Sequence, residues 1–136
     1  MLTREEIVNC LEVEWGFPPL HFRGISEEQR AEMMSRMGYA SYDDYLTGTI
    51  CLWRTLTRFM REGQAKLTGG DPWAGYDLFA HVHVERLKTL PLPEILEQYD
   101  LARRELLDQV TTIDDSVITD PNLNNLCWLM IFRKLP

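Results

Sequence analysis

The chain is poor in the residues from which most chemistry is built. Its histidines number three in 136 residues, His21, His81 and His83. A transition metal needs several N, O or S ligands converging on one point, with His the usual first choice. His81 and His83 are two apart, so on a helix they point about 200° from each other and cannot hold one ion together. Cys10, Cys51 and Cys127 are odd in number, far apart and free of any zinc spacing. Each lies among apolar neighbours in a helical pattern, which marks small buried hydrophobes in a reducing, cytoplasmic compartment. No Ser or Cys stands with a His in a nucleophile motif, and Gly69-Gly70 is a turn without phosphate-binding form. Basic excess is absent too: 14 Lys and Arg against 21 Asp and Glu leave a net charge of −7, spread along the chain, which argues against nucleic acid. The longest apolar run, Leu126 to Phe132, is too short to cross a bilayer. The start Met-Leu-Thr-Arg-Glu-Glu lacks the basic and apolar regions of a signal peptide. No stretch alternates with period two over strand length, and no repeat is visible.

What is present is helix. At 45% apolar, residues 1–136 suit one domain with a core that needs no staple. Thr3 with Glu6 opens a first helix carrying Ile7, Val8, Leu11 and Trp15 on one side, ending near Gly16 before a bend at Pro18-Pro19. Ser26 with Gln29 opens a short second helix with Met33, Met34 and Met37 on its apolar edge, and Gly38 stops it. From Ser41 to about Gly63 the spacing of Tyr42, Tyr45, Thr49, Leu52, Leu56 and Phe59 predicts a long helix with one buried face. Asp71-Pro72 starts another, with Trp73, Tyr76, Ala80, His83, Leu87 and Leu90 as its stripe. After Leu90-Pro91-Leu92-Pro93 a further helix has a core face of Leu96, Tyr99, Arg103 or Ala102, Leu106, Val110 and Ile113, and ends at Asp114-Asp115-Ser116. Asp120-Pro121 caps a final helix. The expected class is an all-α bundle.

Few residues invite a functional reading. His83 falls in the inward stripe and is placed to face Thr49, Trp53 or Tyr99, either as a core His hydrogen-bonded to a hydroxyl or as a ligand-facing acid or base. His81 falls beside Asp77 and Glu85 on a solvated side. Trp53, Trp73, Tyr76, Tyr99 and Trp128 either fill the core or wall a pocket, because indole and phenol rings join an apolar body to a polar tip. Gly48 interrupts the best helix at a cost of about 1 kcal/mol. It either leaves empty volume beside Thr49, Leu52 and Cys51 or, as expected here, lets helices approach closely. The run Leu126 to Phe132 is apolar all round, so either the segments before residue 40 or a symmetric partner chain must cover it.

In order, the capped first helix, "GISEEQRAEM", "GYASYDDYLTGTICLWRTL" and "YDLFAHVHVERLKTLPLPEILEQYDLARRELLDQV" with its proline break and following "DD" resemble the DinB/YfiT-like superfamily. Within it they look like the DfsB-type, colibactin self-resistance branch. The likeness covers nearly the whole chain, through patterns that specify fold better than chemistry. It implies a DinB-like four-helix bundle with short extra helical segments between the first and second long helices. It also implies homodimers and, since members commonly continue past this point, a final helix that is incomplete at Pro136. Many members carry a metal triad of one His in an "H-x-x-x-W" type segment and two in the last helix. Here Gly48 stands at the first position, and Asn122 to Lys134 contains no His. The expectation is therefore a metal-free bundle without cofactor, a small-molecule-binding or protective protein. The alternative is a metal-independent hydrolase or transferase in which Trp53, Tyr76, His83 and Tyr99 line a pocket and His83 acts on an electrophilic small molecule.

Overall fold

The computed structural model describes residues 1–17, 19–62 and 83–136. Pro18, Asp71, Trp73, Tyr76 and His81, and with them most of the helix expected from Pro72, lie outside the described residues.

All regular structure among the described residues is helical. Helix α1, Arg4–Asn9, starts where the Thr3 hydroxyl accepts the Glu6 N–H at 3.1 Å. It widens into a π turn over Cys10–Glu14, closed by the Trp15 N–H on the Cys10 carbonyl at 3.0 Å. A 3₁₀ turn at Leu20–Phe22 leads to α2, Glu27–Met37. Both halves of the expected capping box are made between Ser26 and Gln29, and Gly38 ends the helix at φ 86°. That left-handed backbone is one glycine adopts at no steric cost. Helix α3, Tyr42–Glu62, follows, with Ser41 accepting the Asp44 N–H at 3.1 Å. Residues 83–87 are again helical. Helix α4, Leu92–Thr112, follows Pro91 as its N-cap and takes Pro93 in its first turn, where no donor is missed. After the short α5, Asp115–Ile118, Asp120 caps α6, Pro121–Cys127, which widens into a second π turn at Trp128–Phe132.

Helix α3 is the axis of the molecule. It packs along α4, and the last helix and α2 pack against it from other sides. All six positions of its expected stripe are buried, but so are Leu46, Ile50, Cys51, Trp53 and Met60, so burial exceeds the one face expected. Threonines make this tolerable. The hydroxyls of Thr47, Thr49 and Thr55 each donate to a carbonyl four residues back at 2.8 Å, which satisfies a buried polar group within the helix itself. Thr57 Oγ1 is buried without a hydrogen-bond partner among the described residues. The half-buried positions include Asp44, Gly48 and Arg54, Asp44 pairing with Lys88 at 2.7 Å and Arg54 donating to Gln98 at 2.6 Å.

For Gly48, nothing among the described residues lies within 4 Å of the place its Cβ would take. Two expectations need correction. On α4 the inward residues are Ile95, Tyr99, Ala102, Leu106 and Val110. Leu96 and Ile113 are only half-buried, and Ala102 rather than Arg103 faces in. The final apolar run is covered mostly by its own chain: Leu126, Cys127, Met130 and Ile131 are buried, while Trp128 is 50% exposed.

The helix ends are tied across long stretches of chain. Arg4 donates to the carbonyls of Val110 at 2.6 Å and Ile113 at 2.7 Å, at the C-terminus of α4, and pairs with Asp115 at 2.6 Å. A guanidinium suits that place, since the last carbonyls of a helix have no donors left and carry partial negative charge. Asn124 performs a similar service, accepting the Leu2 N–H at 2.9 Å and donating to the carbonyls of Leu2 at 2.8 Å and Ile118 at 3.1 Å.

Candidate functional site

Of the aromatic residues singled out in the sequence, Trp53 and Tyr99 meet at the centre of the molecule, together with Trp15 and Tyr45, while Trp128 is half exposed and Trp73 and Tyr76 lie outside the described residues. Trp15, just past the first π turn, presents an edge to Trp53 of α3 with 4.8 Å between ring centroids. Tyr99 of α4 lies 5.4 Å from Trp53, and Tyr45 stacks at 6.1 Å from Trp15. All four side chains are fully enclosed. A buried indole or phenol needs a partner for its polar tip, and here each tip reaches a backbone carbonyl near a helix end. The Tyr99 hydroxyl is shared between the carbonyls of Trp15 at 2.5 Å and Gly16 at 3.1 Å. Trp53 Nε1 donates to Met130 at 3.0 Å, Trp15 Nε1 to Ile131 at 3.3 Å, and the Tyr45 hydroxyl to Lys134 at 2.7 Å. Arg103, held by Asp100 at 2.7 Å, donates to the Leu11 carbonyl inside the first π turn at 3.2 Å. Each such carbonyl left unpaired would cost about 1–3 kcal/mol. The donors are committed to holding the fold.

Of the expected pocket of Trp53, Tyr76, His83 and Tyr99, three residues are described. Trp53 and Tyr99 are in ring contact and closed to solvent. His83 is exposed, whereas Leu87, one turn later on the same helical face, is buried. Periodicity names the face but not how far along it the core extends. Tyr76 lies outside the described residues. Burial raises the phenols of Tyr45 and Tyr99 above their ordinary value, which keeps them neutral. It also pushes the thiols of Cys10 and Cys127 up to about 12 and that of Cys51 up to about 11, far from the thiolate form a nucleophile needs.

Among the described residues no group of three His, Cys, Asp or Glu side chains is arranged to hold an ion. His21 Nε2 instead lies 3.0 Å from Glu14 Oε2, joining the first π turn to the 3₁₀ turn.

Side chains of contrasting chemistry converge elsewhere, between the end of α2 and the C-terminal segment. A cleft of about 440 Å³ is lined by Met37, Tyr39, Leu129, Arg133, Lys134 and Leu135. A smaller one of about 250 Å³, lined by Met33, Arg36, Met37 and Pro136, adjoins it across Met37. The Lys134 ammonium donates to the Tyr39 hydroxyl at 2.6 Å and sits 5.2 Å from that ring's centroid. On the other side of the last helix Met1, Leu2, Pro121 and the exposed Trp128 border a cleft of about 590 Å³. Sequence reasoning missed the α2 cleft, because its walls are separated by about ninety residues and only folding joins them. The visible signal was local: Arg36 between two methionines one turn apart, and Arg133-Lys134 directly after the apolar run.

Comparison with family models, with curated proteins and with solved structures finds no match.

Tyr99→Phe removes only the donor to Trp15 and Gly16, so stability is expected to fall by about 1–3 kcal/mol in urea melts with an unchanged slope. An unaffected midpoint would contradict the capping role. For the thiols, burial favours the protonated native form, so the folded-state value lies above the unfolded one. Their stabilisation is whole below the ordinary thiol value of 9.0 and is lost as pH rises through the window toward about 11, the value for Cys51. Stability measured from pH 8 upward should decline, and Cys51→Ala should make that decline shallower; the same slope in both proteins would refute the assignment.

Proposed function

We propose that this chain is a small-molecule-binding helical bundle of the DinB-like kind, acting by recognition in the cytoplasm as a homodimer. The observation that carries binding is the cleft between α2 and the C-terminal segment. Its size falls in the range of small-molecule sites, and it joins apolar walls to a few polar groups. The aromatic centre contrasts with it, the polar tips of Trp15, Tyr45, Trp53 and Tyr99 each being spent on a carbonyl. The hydrolase alternative needs His83 in a cavity beside a second polar group, and an exposed His83 lends it no support. In support of the bundle reading stand the all-helical structure and the packing of α3 along α4. No helix among the described residues is long and apolar enough to cross a membrane.

The homodimer reading rests on Trp128. Its ring stacks on Phe132 at 5.8 Å and remains half exposed beside Met1, itself 78% exposed. A large aromatic anchor of this kind, left in water, suits a self-complementary interface.

Binding is tested by titrating methyl-labelled methionine protein with a mixed library of neutral, cationic and anionic fragments. Met33 and Met37 resonances should move while those of the buried Met60 and Met130 stay. A library that moves none of them would remove the binding reading. Sedimentation equilibrium tests assembly: twice the chain mass is expected, falling to the single chain mass in Trp128→Asp. A monomeric parent protein would end the homodimer reading.

A further inference from the structure

We infer that the cleft between α2 and the C-terminal segment selects an anionic amphiphile, one carboxylate or phosphate head on an apolar body; this rests on the binding reading above. The two adjoining clefts are lined by three cations, Arg36, Arg133 and Lys134, and by no carboxylate side chain. In a chain of net charge −7 that is a local reversal of sign. Among the described residues no carboxylate lies within 4 Å of any of the three, whereas Arg4, Lys88, Arg103 and Arg104 each have an acidic partner. Unneutralised positive charge beside a low-dielectric wall attracts an anion more strongly than the same charge on an open surface.

The donors suit such a head group. Lys134 spends one N–H on Tyr39 and keeps two. Arg133 offers a planar fork that matches a carboxylate or phosphate with paired hydrogen bonds. Met37, Leu129 and Leu135 line the same cleft and Met33 the adjoining one, an apolar bed into which a short chain can lie. Methionine is well suited to this, because its unbranched thioether adapts to the shape laid against it.

The walls are held in place before any ligand arrives. The Lys134 carbonyl is fixed by the enclosed Tyr45 hydroxyl at 2.7 Å, and the Arg133 N–H closes the second π turn on Trp128 at 2.9 Å. On the opposite wall the Tyr39 N–H is bound to the Met34 carbonyl at 2.8 Å as part of the α2 cap. Binding then orders little backbone, which removes much of its usual entropic cost. The size of the clefts favours a small amphiphile over a folded partner.

The test titrates the full chain, with methyl-labelled methionines, against decanoate, decyl phosphate, decanol and acetate. Decanoate, decyl phosphate or both should shift Met33 and Met37 but not Met34, Met60 or Met130, and which head binds more tightly identifies its source. Decanol and acetate should each bind at least about tenfold more weakly, since each lacks one half of the recognised molecule. Arg133→Gln, a change at an exposed position, should weaken the better anion by about tenfold with an unchanged melting temperature. Decanol equal to decanoate at the same methionines, or no effect of Arg133→Gln, would overturn the anion selectivity and leave small-molecule binding standing. Failure of all four probes where neutral or cationic fragments still shift Met37 would do the same. Failure of every probe and every fragment would remove both.

Discussion

The whole molecule depends on pairing backbone carbonyls that its short helices leave open in the interior. A long helix hides most of its polar backbone from the core, but a chain of short helices brings several C-termini inward, each with carbonyls that lack donors. Here those carbonyls are met by side chains from distant parts of the sequence: Trp15, Trp53, Tyr45 and Tyr99 from the aromatic centre, Arg103 and Arg4 from the flanks. The apolar bodies of the four rings fill the core while their tips close the helix ends. One set of residues thus supplies both packing and backbone satisfaction. The π turns at Cys10–Glu14 and Trp128–Phe132 belong to the same arrangement, since a widened turn frees carbonyls that Arg103, Trp15 and Trp53 then engage.

This explains why a centre rich in Trp and Tyr is not the place to look for chemistry. Rings with unused donors around a void make a ligand site. Rings whose donors are saturated and whose faces touch one another make a core. The proposed recognition site lies at the edge, where α2 ends in a glycine cap and the chain turns after Phe132. Cations there meet methionine and leucine, with no carboxylate within 4 Å among the described residues. The same pinning that closes the centre holds the cleft walls, through Tyr45 on the Lys134 carbonyl.

Legibility in the sequence followed the range of the interactions. Caps are local, so Ser26 with Gln29, Gly38, Ser41 and Asp120-Pro121 marked helix boundaries that the structure reproduces. The periodicity of Tyr42 to Phe59 identified buried positions correctly but understated how far α3 is surrounded, because a pattern scored for one face does not register threonines that satisfy themselves. What Trp53 and Tyr99 do could not be read, since their partners lie 77 and 84 residues away and are backbone atoms, invisible to any pattern of side chains. His83 misled for a related reason: its place on a stripe was plain, but at its own position that stripe is exposed. Gly48 remains a glycine for which the described residues give no packing reason.

The long reach of these ties governs the order in which the chain can become structured. Leu2 is bonded to Asn124, Arg4 to Val110, and Trp15 to both Tyr99 and Ile131, across separations of 84 to 122 residues. Helical bundles ordinarily fold fast because their contacts are local. In this chain α1 cannot be closed until residues about a hundred positions later have emerged. It waits as a short and fraying segment. Commitment to the folded state is thus deferred until both ends of these long ties exist, and the described residues assemble more as one late event than as a succession of finished helices.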